Sequence, residues 1–474
     1  MNIKRASLVL CILFAALCTS ACDAKQAHTH TPSDVTVREN VIKPTCENGG
    51  TYDEVVYCTE CNEEVSRIQK TTEAVGHQYD GPQCTLCKNE KVSTGLVYIS
   101  NYDGTCTVSG IGTCADVDVF IPQYSPNGEM VTEISASAFY DCAEITGVYI
   151  PETVTSIGND AFGNCSKLQS VTLSDNLTSF GTGVFSGCTA LKYNTENGMH
   201  YLESNTNAHF MLIGPEDKTK PSYDIHEYTV FIYDNAFSEC QSLTSITVPF
   251  YVCAIGTGAF RDCPELVNVS LSNGITIIAS NLFLNCQKLE TVNIPEDVTV
   301  IEEKAFYSCA ALKTVTLPKS LTEIGFRAFC LSGITSITVP NSVTAIGDGA
   351  FEECYELTTA TLSENITRIS KFMFEKCTKL QSVNIPNRVT LIDERAFNNC
   401  VSLEHVFIPK SVTTIEKYAF RSGCKGTIKF ENPYGWSGYQ NGQHYAEANS
   451  SFVNERDAAL NLSVRWFDYT WKRQ

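Results

Sequence analysis

The residues best suited to chemistry lie between positions 46 and 87. Cys58-x-x-Cys61 and Cys84-x-x-Cys87 are two thiol pairs, Cys46 lies upstream of both, and His77 precedes Cys84 by seven residues. A Cys-x-x-Cys turn brings two thiolates to one side of the chain, and two such turns with an imidazole match the donors of a tetrahedral zinc ion. So short a segment cannot bury enough apolar surface to hold itself folded, so an ion or cross-links must supply what its core lacks. One reading is structural zinc on ligands drawn from Cys58, Cys61, Cys84, Cys87 and His77. Disulfides, which an exported protein can form, are the other. Both make the segment a clip, with no open coordination position and no reaction.

Other chemistry is scarce. The chain has no G-x-S-x-G, no H-E-x-x-H and no G-x-x-x-x-G-K-[ST], and no second histidine follows His226-Glu227 at the spacing a zinc protease needs. His200, His209 and His226 share one stretch and could gather around a metal, but their spacing fixes no geometry. The 53 acidic residues against 34 basic give a net charge of −19, which repels phosphate backbones and anionic headgroups. Nucleic acid is excluded as a partner, and a non-enzymatic role is expected.

The elements that carry these residues begin with an export signal. Lys4 and Arg5 precede an apolar stretch over 6–17, and Thr19-Ser20-Ala21-Cys22 follows. Residues 1–21 read as a lipoprotein signal peptide and Cys22 as the lipidated mature N-terminus; an ordinary cleaved signal with an incidental Cys22 is the alternative. The apolar stretch is too short to span a bilayer, so the membrane is met only through the anchor. Residues 22–45 lack sustained periodicity and read as a tether, 46–92 as a zinc-ribbon-like Cys/His module, and 93–130 as an N-terminal cap.

From 131 to 424 an internal repeat takes over. Phe139, Phe162, Phe185, Phe237, Phe260, Phe283, Phe306, Phe329, Phe351, Phe374, Phe397 and Phe420 recur at 23 residues, apart from a 29-residue insertion after Phe185 and one deletion before Phe351. In the unit over 289–312, LETVNIPEDVTVIEEKAFYSCAAL, Leu289, Val292 and Ile294 mark a strand that Pro295 ends. Val298 and Ile301 then turn back to the interior, and Ala305-Phe306 open a short helical turn. One unit cannot bury these groups against itself. Stacked at about 4.8 Å per strand, twelve units form continuous ladders in an array roughly 50 Å long. A cysteine follows the phenylalanine by three residues in ten of the twelve units. Parallel positions at that spacing suit free buried thiols better than disulfides.

The unit L-x-x-[VI]-x-[IL]-P-x-x-V-x-x-I-x-x-x-A-F-x-x-C, seen over 380–400 as LQSVNIPNRVTLIDERAFNNC, resembles the leucine-rich repeat of BspA-like bacterial surface proteins. The resemblance implies a leucine-rich repeat solenoid, a right-handed β/α superhelix with short helical turns, exposed at the cell surface and adhesive or partner-binding. The stretch over 95–122, with Asp103-Gly104-Thr105, resembles the start of such arrays and implies a capping hairpin. The Cys/His segment is similar to small modules placed before such arrays in anaerobic bacteria.

Binding residues are sought where the repeat varies. The insertion, 192–228, carries two apolar-rich runs around an Asn-rich turn and is expected to protrude as a β-hairpin bearing His200, Tyr201 and His209. The exposed strand position reads Thr, Ser or Asn along the middle of the array, with Tyr149 at one end and His405 and Phe407 at the other. Residues 425–474 lose the period, hold Trp436, Trp466 and Trp471, and read as a C-terminal cap. The expected function is a lipid-anchored extracytoplasmic solenoid that binds an extracellular protein of a host or neighbouring cell. The alternative is a glycan-binding or substrate-capture lipoprotein using the terminal aromatics.

Overall fold

The computed structural model describes residues 29–80, 83–89, 91–440, 443–447, 458, 461–462 and 467–473. Cys22, the signal segment and Trp466 lie outside them. The chain divides into two compact units, Met1–Lys91 and Val92–Gln474.

The first unit is a three-stranded antiparallel sheet, β1 (Pro32–Ile42), β2 (Thr51–Cys58) and β3 (Glu64–Thr71), in the order β1-β2-β3. The tether reading of 22–45 is corrected here. Val35, Val37 and Val41 lie in a strand paired with β2, with Thr36 opposite Val56 and Glu39 opposite Asp53. Polarity hid the strand, because this sheet leaves most of its surface in water. Among the described residues its buried apolar side chains are Val55 and the cysteines Cys46, Cys58 and Cys84. Charge takes over part of the task. Arg67 reaches Asp53 at 2.8 Å, Glu39 at 2.8 Å and Glu64 at 2.7 Å, tying all three strands through one guanidinium.

The second unit is a solenoid of about 14 turns with almost no helix. Two turns lie beyond the twelve phenylalanine units. One precedes them, where Thr105–Gly110 runs parallel to Met130–Ile134 and Asp118–Phe120 runs parallel to Gly147–Tyr149. The other is the insertion. The aligned phenylalanines are all buried and stack in two columns, with ring centroids 5.0–5.8 Å apart.

The short segment around each phenylalanine is a run of turns rather than the helical turn expected. The residues two before and two after every aligned phenylalanine have positive φ, as in Asp160 and Asn164 around Phe162 or Lys304 and Ser308 around Phe306. A left-handed residue stops a right-handed helix and costs about 1 kcal/mol outside glycine. What offsets it is the next coil. The N–H groups of Ser137, Phe139 and Asp141 donate to the carbonyls of Asn159, Ala161 and Gly163 at 2.8, 2.7 and 2.8 Å. The pattern repeats coil after coil, so the corner is hydrogen-bonded across coils much as the strands are.

The repeated cysteine closes the same corner. Cys309 Sγ lies 3.2 Å from the Phe283 carbonyl and Cys400 Sγ 3.0 Å from that of Phe374, each in the preceding coil, so the thiol donates across the stack while filling a small apolar gap.

At the insertion the pattern breaks. Phe185 has no phenylalanine above it and is met by Phe180 at 5.8 Å and Tyr233 at 6.3 Å. The expected hairpin exists, but it does not protrude. Asn194–Glu196, Met199–Leu202 and Met211–Pro215 form an antiparallel meander whose last strand runs parallel to Phe231–Ile232 and so serves as a rung of the solenoid. The cause is apolar: Met199, Tyr201, Leu202, Phe210, Met211 and Leu212 are all buried, and a free-standing hairpin would leave them in water. The corner N–H groups of the coil before the break find side chains instead of carbonyls. Gly183 donates to Asp234 Oδ2 at 2.6 Å and Phe185 to the Tyr233 hydroxyl at 2.8 Å. Burial pushes the Asp234 carboxyl upward, and the N–H groups of Gly183 and Thr257 pull it back.

Two outcomes follow. Phe306→Ala should cost about 3–5 kcal/mol in denaturant titrations. Combined with Phe283→Ala it should be non-additive, whereas combined with the distant Phe397→Ala it should add, because coupling runs only between neighbouring coils. Asp234→Ala leaves two part-buried N–H donors, those of Gly183 and Thr257, without this acceptor and should cost about 1–3 kcal/mol in all, whereas Asp160→Ala, at an ordinary corner, should cost less.

Candidate binding surface and metal-ligand clusters

The two Cys-x-x-Cys turns are built alike. Cys58 N–H donates to the Glu63 carbonyl at 2.8 Å and Asn62 N–H returns to the Cys58 carbonyl at 3.0 Å; Cys84 and Lys88 make the same pair of bonds at 2.9 Å each. Asn62 and Lys88, each directly after the second cysteine, are left-handed. The turns do not converge on one centre. Cys84 and Cys87 gather with Cys46 and His77, whereas Cys58 and Cys61 gather with His30. Pooling Cys58, Cys61, Cys84, Cys87 and His77 is therefore corrected, and Cys46 and His30 enter as donors.

In the four-donor cluster Cys46 Sγ and Cys84 Sγ are 3.6 Å apart, and Cys87 Sγ is 3.2 Å from His77 Nδ1. A tetrahedral ion with Zn–S near 2.3 Å holds its thiolates about 3.8 Å apart, so these side chains can hold a metal ion with small adjustment. The thiols differ electrically. Burial pushes Cys46 up to about 12, helped by Cys87 and Cys84. Burial acts upward on Cys84 too, but N–H groups of Cys87 and Leu86 together with His77 outweigh it and bring the thiol down to about 5.

In the solenoid, four concavities border the break after Phe185. The largest, about 700 Å³, is lined by Thr206, Asn207, Ala208, His209, His226, Tyr228, Val230 and Tyr251. Its rings form a row: Tyr201 edge-on to His209 at 5.1 Å, His209 on His226 at 3.7 Å, His226 to Tyr228 at 5.6 Å, Tyr228 to Tyr251 at 6.1 Å, Tyr251 to Phe250 at 5.4 Å. Phe250, Tyr251 and Tyr228 are 74%, 57% and 53% exposed. Of the three histidines in the insertion, two meet. His209 Nε2 lies 2.5 Å from Glu196, and Glu196, His209 and His226 bring their polar atoms together, whereas His200 turns away to Thr195 Oγ1 at 3.0 Å. Tyr201 is buried and donates no surface; its hydroxyl accepts the His226 N–H at 3.1 Å.

Phe250 and Tyr251 were legible. The two residues after the strand-ending proline are polar in other coils, as in Glu152-Thr153, Glu296-Asp297, Asn341-Ser342 and Lys410-Ser411. Next to the insertion alone they are Phe250-Tyr251.

The strand face is less available than its composition implies. Asn293 and Asn384 are spent on the preceding coil, their Oδ1 atoms accepting the N–H of Leu271 at 2.8 Å and Leu362 at 2.6 Å. Tyr149 stacks on Phe120 at 4.3 Å. His405 is exposed and reaches Thr427 Oγ1 at 2.9 Å, and Phe407 is 46% exposed. Trp436 and Trp471 are buried, the latter in Thr470–Arg473, which pairs antiparallel with the last coil. They cannot form the exposed aromatic platform that the glycan alternative required.

Among the described residues no helix is long and apolar enough to cross a membrane. The model of the BspA type leucine-rich repeat region matches residues 130–210 and 230–428, in six copies. Among solved structures, a leucine-rich repeat protein from Bacteroides ovatus is 27% identical over 73% of this chain and 88% of its own, with a TM-score of 0.39. A leucine rich cell surface protein from Faecalibacterium prausnitzii is 26% identical over 73% of this chain and 96% of its own, with a TM-score of 0.28. No curated protein matches. The repeat pattern, its stacked turns and the family match over more than half its length place this chain in the BspA-type leucine-rich repeat family.

Proposed function

We propose that the chain is a non-enzymatic surface lipoprotein, anchored through Cys22, that binds an extracellular protein of a host or neighbouring cell. The observation that carries this reading is the row of rings from His209 to Phe250, of which Tyr228, Tyr251 and Phe250 are exposed, at the insertion that interrupts the repeat. Ordinary coils make area, and binding energy concentrates in aromatic anchors beside a concavity. Tyr149, His405 and Phe407 are secondary contacts at the ends of the strand face. A glycan partner is the second reading, favoured now by Tyr228 and Tyr251 standing beside Thr206 and Asn207 rather than by the terminal tryptophans. Pull-down from a matched cell surface with the mature chain should recover a partner protein. Tyr251→Ala with Phe250→Ala should weaken that capture at least tenfold, His405→Ala much less. Equal capture by all variants would refute the seam as the binding site, and loss on deglycosylating the target surface would favour the glycan reading.

The N-terminal unit belongs to the same reading as a zinc-clipped spacer, with Cys46, His77, Cys84 and Cys87 as ligands. Structural zinc contributes folding free energy outright in units with so small a core. Chelation should open residues 46–87 to proteolysis while leaving the solenoid's thermal transition in place, and Cys46→Ser should do the same without a chelator. Protection that persists in chelator and disappears in reductant would mean disulfides.

A further inference from the structure

We propose that the solenoid binds a divalent metal ion of the zinc class at the insertion, on Glu196, His209 and His226. The donor atoms of these side chains all lie within 4.8 Å of one another, and both histidines line the largest concavity. His209 Nε2 and a Glu196 oxygen are 2.5 Å apart, and the rings of His209 and His226 stack 3.7 Å apart within 11° of parallel. A tetrahedral zinc ion with Zn–N near 2.1 Å holds its nitrogens about 3.4 Å apart, close to that stacking distance. One ion can therefore serve both rings once they splay and the carboxylate moves outward by about 1 Å. Two imidazoles with one carboxylate are a donor set that suits zinc, whereas magnesium and calcium take oxygen ligands. The ion would bind as the proton between His209 and Glu196 leaves, with no change of oxidation state.

The donors come from three stretches of the insertion, each held by bonds that need no ion. Glu196 ends the strand Asn194–Glu196 and stands opposite Met199. His209 N–H donates to Asn207 Oδ1 at 2.9 Å, and the Asn207 side-chain amide donates to the Tyr228 carbonyl at 2.8 Å. One asparagine thus stitches together the stretches that bear the two histidines. The buried Tyr201 backs both, edge-on to the His209 ring at 5.1 Å and accepting the His226 N–H on its hydroxyl at 3.1 Å. A site whose supporting contacts are already made loses little freedom on binding. His226 Nδ1 now accepts the Tyr228 N–H at 3.3 Å. An ion on Nδ1 replaces that bond, and an ion on Nε2 moves the ring proton to Nδ1 and ends it, so loading is felt at Tyr228 in the exposed row. The ion pins strand, turn and return segment to one point. Its binding is read without a partner, so it stands or falls apart from the partner reading.

The metal-free, reduced full chain is dialysed against cobalt(II) as the probe, the bound equivalents are counted and the absorption is recorded. Glu196→Gln, His209→Gln and His226→Gln should each lose one equivalent or hold it at least tenfold more weakly. His200→Ala, whose imidazole is turned to Thr195, should match wild type. Glu196 is exposed, so its variant tests the site even where a histidine variant disturbs the fold. Wild type minus Glu196→Gln should give d–d bands without sulfur-to-metal charge transfer, however many ions the thiol clusters take. Cys46→Ser should weaken the thiolate bands and leave that difference intact. Zinc should displace this cobalt and a large excess of magnesium should not. Equal equivalents in wild type and Glu196→Gln, or a difference spectrum with thiolate bands, would overturn the site. Displacement by magnesium would overturn its zinc-class character.

Discussion

The corner N–H groups of a coil point out of that coil, and everything in the solenoid depends on finding acceptors for them in the next one. Left-handed residues on either side of each phenylalanine turn alternate amides along the stack, where in regular coils the neighbour's carbonyls receive them. The same arrangement delivers the phenylalanine ring inward, above and below its copies, and sets the cysteine thiol against the preceding carbonyl. Backbone satisfaction and apolar burial thus share one neighbour, which is why a lone coil is not stable and a mismatched one needs substitutes for what its neighbour lacks.

The insertion shows what that constraint demands when the repeat fails. Asp234 and Tyr233 stand in for missing carbonyls, and Met211–Pro215 stands in for a missing strand, so the stack continues through a coil that does not match it. The substitutes do not fill the space that an ordinary coil fills. Concavities open on both sides, and Phe250 and Tyr251, at positions that are polar in other coils, stand at their rims. A uniform array offers few distinct sites, and the patch that cost the solenoid regularity is one place where selectivity can arise.

Periodicity made the solenoid readable from residue types alone, because the phenylalanine spacing reports the coil directly. The corners were not readable in that way. Asn281 and Asn285 are ordinary left-handed residues, but Arg327, Leu331, Phe372 and Tyr418 adopt the same conformation because stacking overrides their local preference. The insertion's hairpin was visible as two apolar runs, whereas its pairing partner, Phe231–Ile232, lies across a polar stretch that no local pattern spans. Most residues of the metal-ligand clusters were visible by type, but His30 lay in the stretch read as a tether, and the partition was not visible. His30 joins Cys61 across thirty-one residues through the pairing of β1 with β2, and Cys46 joins Cys84 across thirty-eight, where the N–H groups of Val75 and Gly76 bond the carbonyls of Thr45 and Cys46.

The two units also treat their cysteines differently. In most of the array burial drives the thiols up, those of Cys309 and Cys377 well above their ordinary range and those of Cys286 and Cys354 up to about 12, leaving little thiolate to oxidise, whereas the neighbouring ladder thiols Cys165 and Cys263 bring Cys188 and Cys240 down. In the first unit the backbone N–H groups of the Cys84 turn do the reverse, bringing that thiol down to about 5 in spite of burial. An ionised thiol is both the better metal ligand and the better target for oxidants. A thiol cluster placed to hold an ion can turn the first property against the second hazard, so the two environments that this chain creates treat their cysteines in opposite ways.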